Sequence, residues 1–163
     1  MAAGPDKVMD DIALGSEDEL LCLDNQLCFP LYAASKELVR AYAPLLRELD
    51  LTYTQYIAMM VLWEKGQTSV YELGERLYLD SGTLTPMLKK LEAKGYVERA
   101  RDEHDGRRLV VRLTGQGRDL KHRAATVPMA MGSCLGLDLK QANQLRDILN
   151  TILDNLGKAN GTD

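Results

Sequence analysis

Helical spacing runs through most of this chain and is interrupted once. From Tyr96 to Arg101 and from Arg108 to Leu113 the composition turns strand-like, and the polar run Asp102-Glu103-His104-Asp105-Gly106-Arg107 between them reads as a turn. A β-hairpin is therefore expected, inserted after the fourth of five or six helices. Upstream, Pro30 fits the first turn of a helix, and Leu31, Ala34, Leu38, Ala41, Leu45 and Leu49 recur at helical spacing, predicting helix one to about Glu48. Thr52 or Thr54 caps a second helix through Trp63, with Ile57, Val61 and Leu62 inward and the Gly66 region as its end. Ser69 caps a short third helix to Leu77, and Asp80 or Ser81 caps a fourth through Lys94, closed by Gly95. Downstream, Thr114 starts a fifth helix that Pro128 can break. A last helix begins near Asp138 and sets Leu145, Ile148, Leu149, Ile152, Leu153 and Leu156 on one stripe.

Composition narrows the class. With 163 residues, 45% hydrophobic and 27% charged, the chain is expected to form a single soluble globular fold. No apolar run approaches the roughly 18 residues that span a bilayer. Residues 1–20 carry Asp6, Asp10, Asp11, Glu17, Asp18 and Glu19 without the basic and apolar blocks of a secretion signal, so they read as an acidic arm and the expected compartment is the cytoplasm. Cys22, Cys28 and Cys134 are odd in number and widely spaced, which points to thiols rather than to a disulfide framework or a zinc site; no cofactor is implied. The net charge of −4 hides a local excess of base. Residues 81–123 hold eleven Lys or Arg against six Asp or Glu, a balance of +5 that leaves −9 for the rest. A concentration of that kind suits contact with phosphates.

Two short helices in quick succession with a hairpin directly after them give the layout of a winged helix-turn-helix, so the fold class expected is mainly α with a small β-hairpin wing. In the fourth helix Leu84, Leu88 and Leu91 share an inward face and leave Ser81, Thr83, Thr85, Pro86, Lys89 and Lys90 outward. Small hydroxyls allow close approach to a major groove while lysines reach phosphates. The same face could belong to any solvated amphipathic helix; the adjoining basic hairpin weighs against that. In the hairpin, Asp105 is placed to hold Arg107 or Arg108 in a fixed direction toward a minor groove or backbone, the plainer alternative being a surface salt bridge. His104 reads as an exposed turn histidine.

Asp105-Gly106-Arg107 followed by Leu113-Thr114 resembles the wing signature of MarR-family regulators, and the similarity covers about residues 20–156. The resemblance implies a domain over 21–156, with a DNA-binding lobe at about 51–113, dimerisation helices in 21–50 and 114–156, and a polar tail at 157–163. It further implies a homodimer and a pseudo-palindromic operator with half-sites about one helical turn apart. The apolar stripe of the last helix, larger than a small monomer core needs, agrees with it.

Within that family three segments resemble the organic-hydroperoxide-sensing OhrR group: Leu23-Asp24-Asn25-Gln26-Leu27-Cys28-Phe29-Pro30-Leu31-Tyr32, Leu51-Thr52-Tyr53-Thr54-Gln55-Tyr56, and the run from Leu77 to Lys90. The resemblance implies that Cys28 is the peroxide-reactive thiol, that Tyr42 and Tyr53 hydrogen-bond it, and that Cys134 is the resolving cysteine of a two-cysteine member, with Cys22 the lesser candidate. It also implies a repressor. From the residues alone, Cys28 falls in the first turn of a helix, where free amide hydrogens favour the thiolate that attacks a peroxide, but an inert cysteine packed as a small hydrophobe fits the same position. Three other functions stand beside this one. A small phenolic or amphipathic ligand could bind near Tyr42, Tyr53 and Tyr56 and take the place of oxidation. A thiol peroxidase would leave the basic hairpin without a purpose. A purely structural helical bundle would use only the C-terminal stripe.

Overall fold

The structure, a computed structural model, describes residues 16–102 and 105–160, the last three by backbone alone. Contacts divide the chain into two compact units, residues 1–41 and 42–163. The first long helix is open to solvent over much of its length. Its expected inward positions Leu31 and Leu38 are only half-buried, Ala34 and Ala41 are exposed, and Leu46 is the first residue of that helix to be fully buried.

In residues 1–41, α1 (Glu17–Leu20) is a single turn closed by a capping box: Ser16 Oγ accepts from the Glu19 amide and the Glu19 carboxylate accepts from the Ser16 amide. A 3₁₀ turn over Leu23–Asn25 follows, with Asn25 Nδ2 donating to the Glu19 carbonyl and Gln26 Nε2 to that of Leu20. The segment before the first long helix is thus an ordered turn, where the acidic arm was expected to run to residue 20. The remainder of that arm lies outside the described residues. The first long helix, α2 (Cys28–Arg47), begins two residues ahead of Pro30, which occupies its first turn as expected.

In residues 42–163, α3 (Tyr53–Lys65) is capped by Thr52, not Thr54, through a box with Gln55, and Gly66 ends it with φ of 77°. β1 (Gln67–Ser69) leads into α4 (Val70–Leu77), whose cap Ser69 pairs with Glu72 in a further box. α5 (Ser81–Ala93) takes Asp80 as its cap. β2 (Val97–Arg101) and β3 (Leu109–Leu113) form the expected hairpin, with Val97 opposite Leu113 and Arg101 opposite Leu109. The sheet has a third strand. β1 pairs antiparallel with β3, Gln67 opposite Arg112 and Ser69 opposite Val110, giving the order β1-β3-β2. Three polar residues carry no alternation of their own, so this strand exists through its partner's backbone and not through its sequence.

Thr114 caps α6 (Gly115–Ala124), its hydroxyl accepting from the Gly117 amide while donating to the Gly95 carbonyl. The chain breaks at Ala125 and Thr126, and α7 (Val127–Leu135) then places Pro128 in its first turn. α8 (Leu139–Asn160) runs on through Gly157, so the helix enters the segment expected to be a polar tail. The core of this unit gathers Leu46, Leu62, Leu73, Leu84, Leu88, Leu91, Val97, Val111 and Leu120, each nearly or completely withdrawn from solvent. Among the described residues no helix is long and apolar enough to cross a membrane.

Candidate nucleic-acid interface and thiol site

α5 is positioned by its buried face. Leu84, Leu88 and Leu91 are at most 1% exposed, which fixes the rotation of the helix and leaves Ser81, Thr83, Thr85, Pro86, Lys89 and Lys90 in solvent. Asp80 anchors its start: Oδ1 accepts from the Thr83 amide and Oδ2 from the Thr83 hydroxyl, both at 2.9 Å. Those two bonds, the amide first, hold the Asp80 carboxyl below the ordinary aspartate range. The hydroxyl proton of Thr83 is therefore committed to the cap, and its oxygen lone pairs are what it can offer a partner.

The far end of α5 is tied to the wing. Arg99 on β2 grips Glu92 through Nε at 3.0 Å, through the terminal nitrogen at 2.6 Å and through its backbone amide at 3.1 Å. The Arg99 fork is the main reason the Glu92 carboxyl sits below its usual range. No local pattern in the sequence marks this pair, since seven residues and a turn separate its members.

At the wing tip Asp105 Oδ1 accepts from the Arg107 amide, while Oδ2 lies 3.7 Å from Arg108 Nε. Asp105 thus faces the side chain of Arg108 and only the backbone of Arg107. Arg108 is 67% exposed in this loose pair, so the ion pair itself contributes little to stability and its effect is directional. Arg101 braces the turn by donating to the Gly106 carbonyl at 2.7 Å. His104 lies outside the described residues.

A second constellation is aromatic. The Tyr42 and Tyr53 rings have centroids 5.0 Å apart, Tyr42 and Tyr56 5.9 Å, and Tyr56 and Trp63 6.2 Å. Burial first, and the neighbouring phenols second, raise the Tyr42 and Tyr56 hydroxyls above the ordinary tyrosine range, so both stay protonated donors at neutral pH. Cys28, the first residue of α2, is exposed, and so is Cys22 just before the 3₁₀ turn. Cys134 is exposed near the end of α7. Cys22 and Cys28 belong to residues 1–41; Tyr42, Tyr53 and Cys134 belong to residues 42–163.

Residues 40–124 match the family model described as transcriptional regulator SarA/Rot. Over 141 residues the chain is 46% identical to the organic hydroperoxide resistance transcriptional regulator of Bacillus subtilis, spanning 85% of this chain and 94% of that protein. The chain belongs to the MarR/SarA family of transcriptional regulators. It is also 48% identical over 139 residues to the HTH-type transcriptional regulator TtmR of Methylorubrum extorquens, covering 85% of this chain and 71% of that one. Its fold matches reduced, DNA-bound AbfR, a protein known from Staphylococcus epidermidis, with a TM-score of 0.74 and 33% identity over 88% of this chain and 99% of the other. AbfR with its disulfide formed matches at a TM-score of 0.62 and 32% identity, covering 94% and 98%. This MarR/SarA regulator therefore has the winged-helix fold expected from its hairpin and is not an enzyme, which sets aside the thiol-peroxidase reading.

Proposed function

We propose that this regulator is a homodimeric repressor that binds pseudo-palindromic operator DNA when reduced and releases it when organic hydroperoxide oxidises Cys28. The observation that carries the reading is an exposed thiol at the first residue of α2, in a chain closely similar to an organic hydroperoxide regulator. In this scheme α5 enters the major groove, Lys89 and Lys90 meet phosphates, and Arg107 and Arg108 reach the flanking groove or backbone. The Cys28 thiolate attacks the peroxide oxygen, giving a sulfenic acid and, after protonation, an alcohol. The thiol of the partner subunit's Cys134 then condenses with the sulfenic acid, forming a disulfide and releasing water. Tyr42 and Tyr53 serve as phenol donors to the reacting sulfur. AbfR, with structures in reduced DNA-bound and disulfide forms, supports a redox route of this kind.

A thousandfold loss of operator affinity requires about 4 kcal/mol of differential binding between the two states. A covalent bond between subunits can impose that by moving the two winged lobes out of register. Two variants test the scheme. Cys134→Ser is expected to oxidise at Cys28 yet give no intersubunit crosslink on non-reducing gels; a crosslink surviving there removes Cys134 and brings Cys22 forward. Cys28→Ser is expected to bind operator and ignore peroxide. Induction of that variant by a phenolic compound would instead favour a small ligand held at the Tyr42, Tyr53 and Tyr56 cluster, whose rings stand 5.0 and 5.9 Å apart.

A further inference from the structure

The start of α4 and the root of the wing enclose a cleft of about 320 Å³. They meet because Ser69, the cap of α4, pairs with Val110 on β3, next to Leu109 where the wing begins. Tyr71, in the first turn of α4, lines this cleft together with Arg107 and Arg108, and it is 75% exposed. An aromatic side chain left that open contributes little to a core, so its phenol is available for another task.

The charged groups around the cleft narrow what it can hold. Glu72 has its carboxylate on the Ser69 amide and the Thr68 hydroxyl, and those bonds, the amide first, hold it below the usual glutamate range. Asp105 is turned onto the Arg107 amide and toward Arg108 Nε. In the first turn of α4 the Glu72 amide donates to the Ser69 hydroxyl. The groups left for an incoming anion are the Tyr71 hydroxyl and the Arg107 guanidinium, for which no acceptor is found among the described residues. Two arginines against two carboxylates give no strong field, so an anion here needs direct contact, and a phenol hydroxyl lining the same cleft as an arginine provides it.

We propose that Tyr71 is a further DNA-positioning residue, donating its hydroxyl to a backbone phosphate that Arg107 also contacts, so that α4 and the wing clamp one strand beside the groove that α5 enters. The first helix of a helix-turn-helix crosses the backbone in this way, and a phosphate contact fixes register without reading sequence. This rests on the reading that α5 and the wing bind DNA.

The test uses the full-length reduced protein, a duplex from upstream of its own gene and a duplex of unrelated sequence, titrated across a range of salt. Tyr71→Phe and Tyr71→Ala are expected to lose roughly tenfold in affinity for both duplexes. Their melting temperatures and the slope of log affinity against log salt should stay at wild type, because no charge has been removed. Arg107→Ala is expected to lower that slope by about one. Wild-type affinity in both Tyr71 variants overturns the proposal, and so does a loss in Tyr71→Ala with Tyr71→Phe unchanged, since then the hydroxyl makes no bond. Failure of the unmodified protein to bind either duplex overturns the DNA-binding reading instead.

Discussion

Single side chains set the recognition surface, and Asp80 shows how. Its carboxylate closes the first turn of α5 and commits the Thr83 proton. Because the folded carboxyl lies below the ordinary value of 3.8, the stability it contributes is fully present above that value and lost as pH falls through the lower folded one. Operator binding between about pH 6 and 8 should therefore not follow Asp80 titration. Asp80→Ala should lower the melting temperature at neutral pH, with the gap from wild type closing in acid; an equal gap at every pH would contradict an ionised cap. Leu88, 1% exposed beneath the same helix, acts through volume. Leu88→Ala should cost about 2 to 5 kcal/mol in denaturant melts, and a cost under about 1 kcal/mol would mean that α5 is not seated as described.

At the scale of elements, α5 is held at its C-terminal end. The Glu92–Arg99 fork joins it to β2, Lys94 at its C-cap bonds the Asp50 carbonyl, and nearby Tyr96 donates to the Leu49 carbonyl. Arg123 from α6 reaches the Glu48 carbonyl, so three successive carbonyls after α2 are met by the side chains of Arg123, Tyr96 and Lys94. Glu92→Gln weakens the grip on the wing strand without removing any group offered to DNA. It should lower operator affinity several-fold in anisotropy titrations while leaving Cys28 oxidation, followed by mass spectrometry, at the wild-type rate. Unchanged affinity would show that the wing needs no brace.

These connections mark the boundary of what the sequence discloses. Caps such as Ser69 and Thr114, the hairpin and the inward leucines of α5 rest on spacings of a few residues and can be read directly. β1, the Arg99 fork and the side chains that meet the turn after α2 depend on partners brought together by folding. The direction of Asp105 illustrates the middle ground: its pairing with an arginine was legible, but the choice of Arg108 over Arg107 follows from the turn's own backbone bonds.

For the whole molecule the informative feature is apolar surface that no other described residue covers. Along the 22 residues of α8, Leu139, Leu145, Ile148 and Leu156 are 85, 44, 58 and 56% exposed, and Phe29, Tyr32 and Val39 of α2 are exposed as well. In a homodimer built from the N- and C-terminal helices this surface becomes interface. Leu145→Asp with Ile148→Asp should give a monomer in sedimentation and a steep fall in operator affinity; a dimer of full affinity would place the interface elsewhere. From its residues alone Cys28 reads either as a thiolate favoured by the first turn of a helix or as an inert small hydrophobe, and only resemblance puts it forward as the reactive thiol. The structure adds that Cys28 is in solvent and that Tyr42 and Tyr56 are neutral donors.

The central claim is a thiol switch on operator binding, and fluorescence anisotropy tests it most directly. Reduced protein is titrated onto labelled DNA from upstream of its own gene, treated with one equivalent of cumene hydroperoxide per subunit, and then with dithiothreitol. Tight binding that is lost on oxidation and restored by the reductant is the predicted result. Tight binding unmoved by peroxide contradicts it.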